Sequence, residues 1–194
     1  MATAEHTVQM ALEAGRQGRP HDGIALLRRL QQKLPNNLMI GAVLGQLLMQ
    51  AGEAEQAVFQ FERCARADPK SAAHMNNYAM ALGNAGKSSQ AVAAFRESVR
   101  LDPAYAKGWV GLAMQLLRVP DYQGAAEAAR TAIHVNPDLA EAYHNLGLAL
   151  LESGQASEAV SVLRESLRRP PAAPHPPGAP LPDEPGGAGG ARGR

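Results

Sequence analysis

Apolar residues along this chain recur at the spacing of an amphipathic helix. Met75, Tyr78 and Leu82 stand at i, i+3 and i+7, so they share one face of a helix with 3.6 residues per turn. The same spacing returns after Gly86, again with polar residues between the apolar ones. The pattern predicts two amphipathic helices joined by a short turn.

This helix pair is repeated along the chain. Five prolines follow one another at intervals of 34 residues: Pro35, Pro69, Pro103, Pro137 and Pro171. A fixed period of this length indicates stacked copies of one supersecondary unit. The copies span residues 4–37, 38–71, 72–105, 106–139 and 140–171.

Residues of similar size recur at fixed positions of the copies. The eighth position is always Ala or Gly, as in Ala79 and Gly147, which suits a close crossing of two helices. The fifteenth is Gly in every copy except the fourth, which has Pro120. Glycine ends a helix in the left-handed conformation that proline does not adopt, so we expect an irregular turn at residues 119–122.

Three polar side chains stand just before the first helix of a copy. They are Asn37, Ser71 and Asp138. An oxygen at this place accepts a hydrogen bond from a free N–H of the first turn. We therefore predict that each of the three caps a helix.

These positions resemble the tetratricopeptide repeat family. The fifth copy has Tyr143, Leu146, Gly147 and Ala159 where the family has an aromatic residue, Leu-Gly and Ala, and the fourth has Trp109 at the aromatic position. The resemblance covers residues 4–169. It implies an all-α, right-handed α-solenoid of five helix-turn-helix repeats, in which each copy is stabilised by its neighbours.

Residues 170–194 differ in composition from the rest of the chain. They hold eight of the 14 prolines and six of the 19 glycines, so they cannot bury a core. We predict a disordered Pro/Gly-rich tail, inert or the end of a truncated array. The alternative is a ligand for a proline-recognition domain, since Pro174 and Pro177 form a P-x-x-P motif.

Composition narrows the partners and the compartment. The formal net charge of +1 predicts no sequence-independent attraction to nucleic acid or to a membrane. Cys64 is the single cysteine and stands at the position that Ser98 and Ala132 occupy in the next two copies, which favours a packed residue over a reactive thiol. No apolar run reaches the ~20 residues that cross a bilayer, and residues 1–19 lack the pattern of a secretory signal. We expect a cytoplasmic chain.

Residue patterns for catalysis, cofactors or metals do not occur in the sequence. There is no phosphate-binding G-x-x-x-x-G-K-[ST] loop and no H-E-x-x-H. His134 and His144 have no further ligands near them in sequence, and no nucleophile has a base beside it. We expect no catalytic, cofactor-binding or metal site, and a non-catalytic scaffold rather than an enzyme.

The resemblance implies that the first helix of each copy lines an inner, concave surface that binds a protein or peptide. Positions two, five, six, nine and thirteen then face the partner. The candidate groove residues are Met39, Val43, Gln46, Asn76, Asn77, Met80, Asn84, Lys107, Met114, Arg118, His144 and Asn145. Amides pair with peptide backbones, and Met adapts to varied apolar side chains. Core filling is the other interpretation of the three methionines, and it stays open.

Two specialised branches of the family bear on the partner. Members that bind chaperones hold a terminal carboxylate with Lys, Asn and Arg; here Lys107 matches, but Gly111, Val8 and Leu12 replace the other members of the clamp, so we do not expect this specificity. The repeats also look like those of protein O-GlcNAc transferases, whose sixth-position asparagines bind peptide backbones. Asn77 and Asn145 match that asparagine ladder, but Gln9, Val43 and Gly111 break it. The alternative function is therefore the substrate-targeting region of a glycosyltransferase, detached from its catalytic domain.

The second helix of the fifth copy presents Val160, Leu163 and Leu167 with no predicted helix to cover them. An exposed apolar face is an interaction site. Self-association through this uncapped C-terminal repeat is therefore a further expectation.

Overall fold

Ten α-helices in five consecutive pairs make up the described part of the chain, residues 3–169 of a computed structural model. The helices are α1 (Ala4–Arg16), α2 (Pro20–Lys33), α3 (Leu38–Gln50), α4 (Ala54–Ala67), α5 (Ala72–Asn84), α6 (Ser88–Leu101), α7 (Ala106–Arg118), α8 (Tyr122–Val135), α9 (Ala140–Glu152) and α10 (Ala156–Arg168). No strand occurs among these residues, and the predicted all-α solenoid is confirmed. The predicted tail, 170–194, lies outside the described residues.

The first helix of each copy, the A helix (α1, α3, α5, α7 and α9), begins at the first residue of the predicted copy. The second helix of each copy is the B helix (α2, α4, α6, α8 and α10). The B helices end just before the proline of each copy because proline lacks the N–H that would continue the helix. The proline and glycine periods thus set the helix bounds.

The capping prediction is confirmed for two of its three residues. Oδ1 of Asn37 accepts from the N–H of Ile40 at 3.1 Å, and Oγ of Ser71 accepts from the N–H of His74 at 3.2 Å. The prediction for Asp138 is wrong, because α9 begins one residue later than an N-cap at Asp138 requires. An N-cap that was not predicted lies at the start of α8, where Oδ1 of Asp121 accepts a hydrogen bond from the N–H of Gly124.

The turns between A and B helices differ in the fourth copy, as the proline there predicted. Gly18, Gly52, Gly86 and Gly154 all have φ between 73° and 77°. Pro120 has a φ of 21°, far from the value near −65° that its ring favours. One hydrogen bond of the turn is common to both kinds of turn. The N–H of Asp121 donates to the carbonyl of Leu116 at 3.0 Å, as the N–H of Glu53 donates to that of Leu48 at 2.8 Å.

Small residues allow the A and B helices of a copy to cross closely. A β-carbon on Gly45 would lie 2.8 Å from the ring of Phe61, and one on Gly147 would overlap Leu163. Ala79 and Ala91, at the eighth and twentieth positions of the third copy, are fully buried. The recurring size pattern between copies is therefore a packing requirement.

Each helix pair contacts only the neighbouring pairs. B helices pack against the next A helix, and the backbones of successive A helices come close together. The backbones of successive B helices within residues 3–169 lie farther apart, and these helices meet through side chains, as where Nε2 of Gln31 donates to Oε1 of Gln60 at 2.8 Å. The A helices therefore lie on the inner side of a curved array. α1 and α10 share no contact, so no central core joins the two ends.

Cys64 is buried, as its position in the repeat predicted. Its side chain is 2% exposed, and Sγ lies 3.7 Å from the carbonyl oxygen of Leu38. Burial raises the pKa of the thiol, against a smaller opposing effect of Arg63. Because the thiolate is the nucleophile, this environment does not activate the residue.

Candidate partner-binding surface

The twelve candidate groove residues all lie on A helices, and their exposure differs. Exposed residues are Met39, Gln46, Met80, Asn84, Lys107, Arg118 and His144, half-buried residues are Val43, Asn77 and Met114, and buried residues are Asn76 and Asn145. The inner surface is thus lined by most, not all, of the predicted set. Their role in binding stays a prediction.

The two buried asparagines differ in their partners. Nδ2 of Asn145 donates to the backbone carbonyl of Val110 on the preceding A helix at 3.3 Å, and Asn145 is 7% exposed. Nδ2 of Asn76 contacts Sδ of Met80 at 3.6 Å, and its Oδ1 is buried without a protein partner. Asn145 therefore holds two copies together, which leaves its amide less available to a ligand.

The thirteenth position of the A helices braces the same seams, which was not predicted. Nε2 of Gln50 donates to the carbonyl of Gly15 at 2.8 Å, and Nη1 of Arg118 donates to that of Gly83 at 3.4 Å. Asn84 reaches Sδ of Met49 at 3.8 Å. The sequence does show a polar residue at the thirteenth position of successive copies. That pattern fits a residue that faces a partner as well as one that bonds to the neighbouring copy.

Two of the three methionines project from the inner helices. Met39 is 57% exposed and Met80 is 41% exposed, whereas Met114 is half-buried. Core filling therefore does not account for Met39 and Met80. An exposed thioether chain offers an adaptable apolar contact.

Among α3, α5, α7 and α9, charge at the predicted inner positions is confined to α7 and α9, whereas α1 carries the exposed Glu5 and Arg16. Lys107 and Arg118 are exposed on α7, and Glu141 and Glu152 are exposed on α9 beside His144. α3 and α5 contribute amides and methionines to the predicted positions. A partner would meet a neutral stretch along α3 and α5 and both signs of charge along α7 and α9.

Two cavities lie away from the twelve residues. One of about 450 Å³ lies at the N-terminal end between α1 and α2, with Met10, Glu13 and Leu26 in its wall. The other, of about 350 Å³, lies beside the turn from α2 to α3. Within residues 3–169, no three His, Cys, Asp or Glu side chains come together to hold a metal ion, and no helix has the length and apolar character to span a bilayer.

Models of the tetratricopeptide repeat family match most of this chain. They match residues 16–81, 75–105 and 110–174. The chain is therefore built from tetratricopeptide repeats, as the sequence predicted. No curated protein sequence is similar enough to the chain to count as a relative.

Solved structures with the same fold include other repeat proteins. A crystal structure of MamA is 21% identical, with a TM-score of 0.70 over 87% of this chain and 95% of that chain. MamA 41-end from Desulfovibrio magneticus RS-1 is 16% identical, with a TM-score of 0.71 over 85% and 93%. A thermophilic tetratricopeptide repeat protein of Thermus thermophilus is 15% identical, with a TM-score of 0.72 over 86% and 91%. Identities this low show the fold alone.

Proposed function

We propose that the chain is a non-catalytic scaffold that holds a protein or peptide partner along the inner surface of its A helices. The exposure of Met39 and Met80 on that surface is the observation that carries the proposal. Covering exposed apolar side chains with a partner lowers the free energy, because their apolar surface is removed from water. The amides of Gln46 and Asn77 supply hydrogen bonds to an extended backbone.

The experiment uses the full chain as bait and compares capture by variants. Met39→Glu with Met80→Glu places two carboxylates on the inner surface and should abolish capture of partners that the unchanged chain retains. Arg96→Glu, an exposed position on α6, is the matched control on an outer helix. Capture that survives the double variant and fails with the control would place the partner on the outer surface.

The alternative function, a substrate-targeting region of a glycosyltransferase, draws no support from the asparagines that suggested it. Asn145 donates to Val110 within the array, and only the half-buried Asn77 remains of the two matching residues. A broken ladder favours a partner recognised through its side chains. The scaffold is therefore the function we put forward.

A further inference from the structure

The cavity beside the turn from α2 to α3 is a second candidate site, outside the inner surface. It measures about 350 Å³, and its wall includes Pro35, Gly41, Gln60, Arg63 and Cys64. Ligand pockets commonly measure roughly 300–1,000 Å³, so this one has room for a single ring rather than a larger ligand. None of the twelve candidate groove residues lines it.

The position of Gly41 in its repeat explains why a cavity forms there. Gly41 is the fourth residue of the second copy, and the fourth residues of the fourth and fifth copies are Trp109 and Tyr143. Nε1 of Trp109 donates to the carbonyl of Pro103, the proline just before its A helix, at 2.9 Å. The cavity borders Pro35, the equivalent proline before α3. The second copy thus leaves open the space that an aromatic ring occupies in the later copies.

The fifth copy shows how such a ring is held. The guanidinium carbon of Arg169 lies 3.8 Å from the ring centroid of Tyr143, and Nη2 of Arg169 donates to the hydroxyl of Tyr143 at 2.8 Å. Nε of the same arginine donates to the carbonyl of Pro137 at 2.7 Å. A cation anchored on the proline carbonyl therefore covers the ring.

The second copy has a cation anchored on the equivalent proline carbonyl, four positions earlier in the copy than Arg169, and no fourth-position ring. The nearest ring to this cation is that of Phe59, whose centroid lies 5.9 Å from the guanidinium carbon of Arg63. Nη2 of Arg63 donates to the carbonyl of Pro35 at 2.7 Å, so its guanidinium is fixed at the edge of the cavity. Sγ of Cys64 lies 3.1 Å from where a β-carbon on Gly41 would stand, and it forms the inner wall. Guanidinium groups stack on aromatic faces, and sulfur makes favourable contacts with ring edges.

We propose that this cavity binds the aromatic side chain of a tyrosine or tryptophan on a partner polypeptide, which takes the place of the fourth-position ring that Gly41 lacks. The ring enters beneath the guanidinium of Arg63 and packs against Cys64. The carbonyl of Pro35 has a second lone pair for an indole N–H. This cavity shares no residue with the predicted groove, so a ring can occupy the cavity while a partner occupies the inner surface.

The test is a ¹H–¹⁵N NMR titration of the full chain with N-acetyl-tyrosinamide and N-acetyl-tryptophanamide. Saturable shifts are expected at the amides of Gly41, Gln60 and Cys64. N-acetyl-cyclohexylalaninamide has a similar size without a π face and should bind about three- to five-fold more weakly, the factor that an exposed cation–π contact supplies. No saturable shift at millimolar probe, or equal affinity for the cyclohexyl probe, overturns the proposal.

Filling the cavity from within is the structural control. Gly41→Tyr with Cys64→Ser recreates the Tyr143 and Ser166 pair of the fifth copy and should remove the probe-induced shifts while the melting temperature is kept or raised. Thr7→Tyr, at the fourth position of the first copy, should leave them intact. Persistence of the shifts in the folded double variant contradicts the assignment.

A second variant keeps the test decisive if the filled protein does not fold. Arg63→Gln preserves the cavity but removes the cation. The affinity for the tyrosine probe should therefore fall to that for the cyclohexyl probe. Unchanged discrimination between the two probes would show that Arg63 does not cover the ring, and the proposal would fail.

Discussion

The side chain of Gln115 lies directly over the backbone of Gly83. A β-carbon on Gly83 would stand 2.5 Å from Oε1 of Gln115. Leu47 covers Gly15 in the same way two copies earlier. A β-carbon on Gly15 would stand 2.5 Å from Cδ2 of Leu47. In both seams a large tenth-position residue therefore needs a glycine at the twelfth position of the preceding A helix.

The sizes are exchanged in the other two seams. Met49 and Leu117 stand at the twelfth position, and the tenth positions that follow are Ala81 and Ala149, both fully buried. Close packing of the A helices thus tolerates one large residue per seam. The alternation is a property of the pair of positions and not of either residue alone.

We expect Gln115→Leu to stabilise the fold. Gln115 is fully buried, and neither Nε2 nor Oε1 has a protein hydrogen-bond partner, whereas Leu47 fills the equivalent seam without polar atoms. An unsatisfied buried polar group costs about 1–3 kcal/mol, so the free energy of unfolding should rise by about 1–2 kcal/mol in urea denaturation. Gln90→Leu, at an exposed position of α6, is the control and should change little. A destabilised Gln115→Leu protein would mean that the amide makes a bond that leucine cannot replace.

Gly83→Ala should destabilise the chain, and Gln115→Ala should compensate. The added methyl group overlaps the Gln115 amide, and overpacking of this kind costs about 1–3 kcal/mol. In the double variant the overlap disappears, so the two substitutions should be coupled by about 1 kcal/mol or more in a double-mutant cycle. Additive effects would show that the side chain of Gln115 moves aside without cost.

The fold was predictable because its signals are local. The interval from Pro35 to Pro69 and the glycines with positive φ set the helix bounds, and small residues such as Ala79 located the crossings. The roles of Asn145 and Gln50 were not predictable, because each bonds to a residue 35 positions earlier in the chain. Which carbonyl each amide meets depends on the register between two helices, and one sequence does not contain that register.

Local signals also limit what the sequence can predict about the inner surface. Helical periodicity places Asn76 and Met80, four residues apart, on the same face of α5, but it does not tell that Asn76 is buried and Met80 exposed. Gly111 on α7 is small, and the ring of Phe95 lies where its side chain would be. Exposure of a groove residue thus depends on the size of residues one repeat away.

Asn145→Ala should lower stability more than Asn77→Ala, although both stand at the sixth position. Removing Asn145 removes the 3.3 Å bond to the Val110 carbonyl, which joins α9 to α7. A buried hydrogen bond contributes about 0.5–1.5 kcal/mol, so we expect a loss of about 1 kcal/mol. The half-buried Asn77 supplies the matched control. Equal losses in thermal or urea unfolding would contradict a bracing role for Asn145.

Stability should fall with acid because of His74. Burial lowers the pKa of His74 below its usual 6.5, with Asp68 opposing the shift, and its Nδ1 is buried without a protein partner. The unfolded chain therefore takes up the proton at a higher pH than the folded chain does. The free energy of unfolding should decrease as the pH falls from about 6.5 toward the lowered pKa, and level off below it.

His74→Ala should flatten this part of the curve, since Ala142 occupies the same position in the fifth copy and is fully buried. Urea denaturation at intervals between about pH 7.5 and about pH 5, with His134→Ala as the exposed control, measures the difference. If the His74→Ala protein loses as much stability in acid as the unchanged chain, the acid effect arises elsewhere.

Val160 and Leu167 on α10 should drive self-association. Val160 is 46% exposed and Leu167 is 87% exposed, whereas Val58 and Val92, at the position of Val160 in earlier copies, are 9% exposed because the next copy covers them. A second chain that covered this face would bury the same apolar surface that each internal copy buries. Sedimentation equilibrium of the full chain should show a concentration-dependent dimer that Val160→Glu with Leu167→Glu converts to monomer. Phe59→Glu, at a 58% exposed position of α4, should leave the dimer intact. A full chain that stays monomeric at high micromolar concentration would show that this face has no affinity for a second copy.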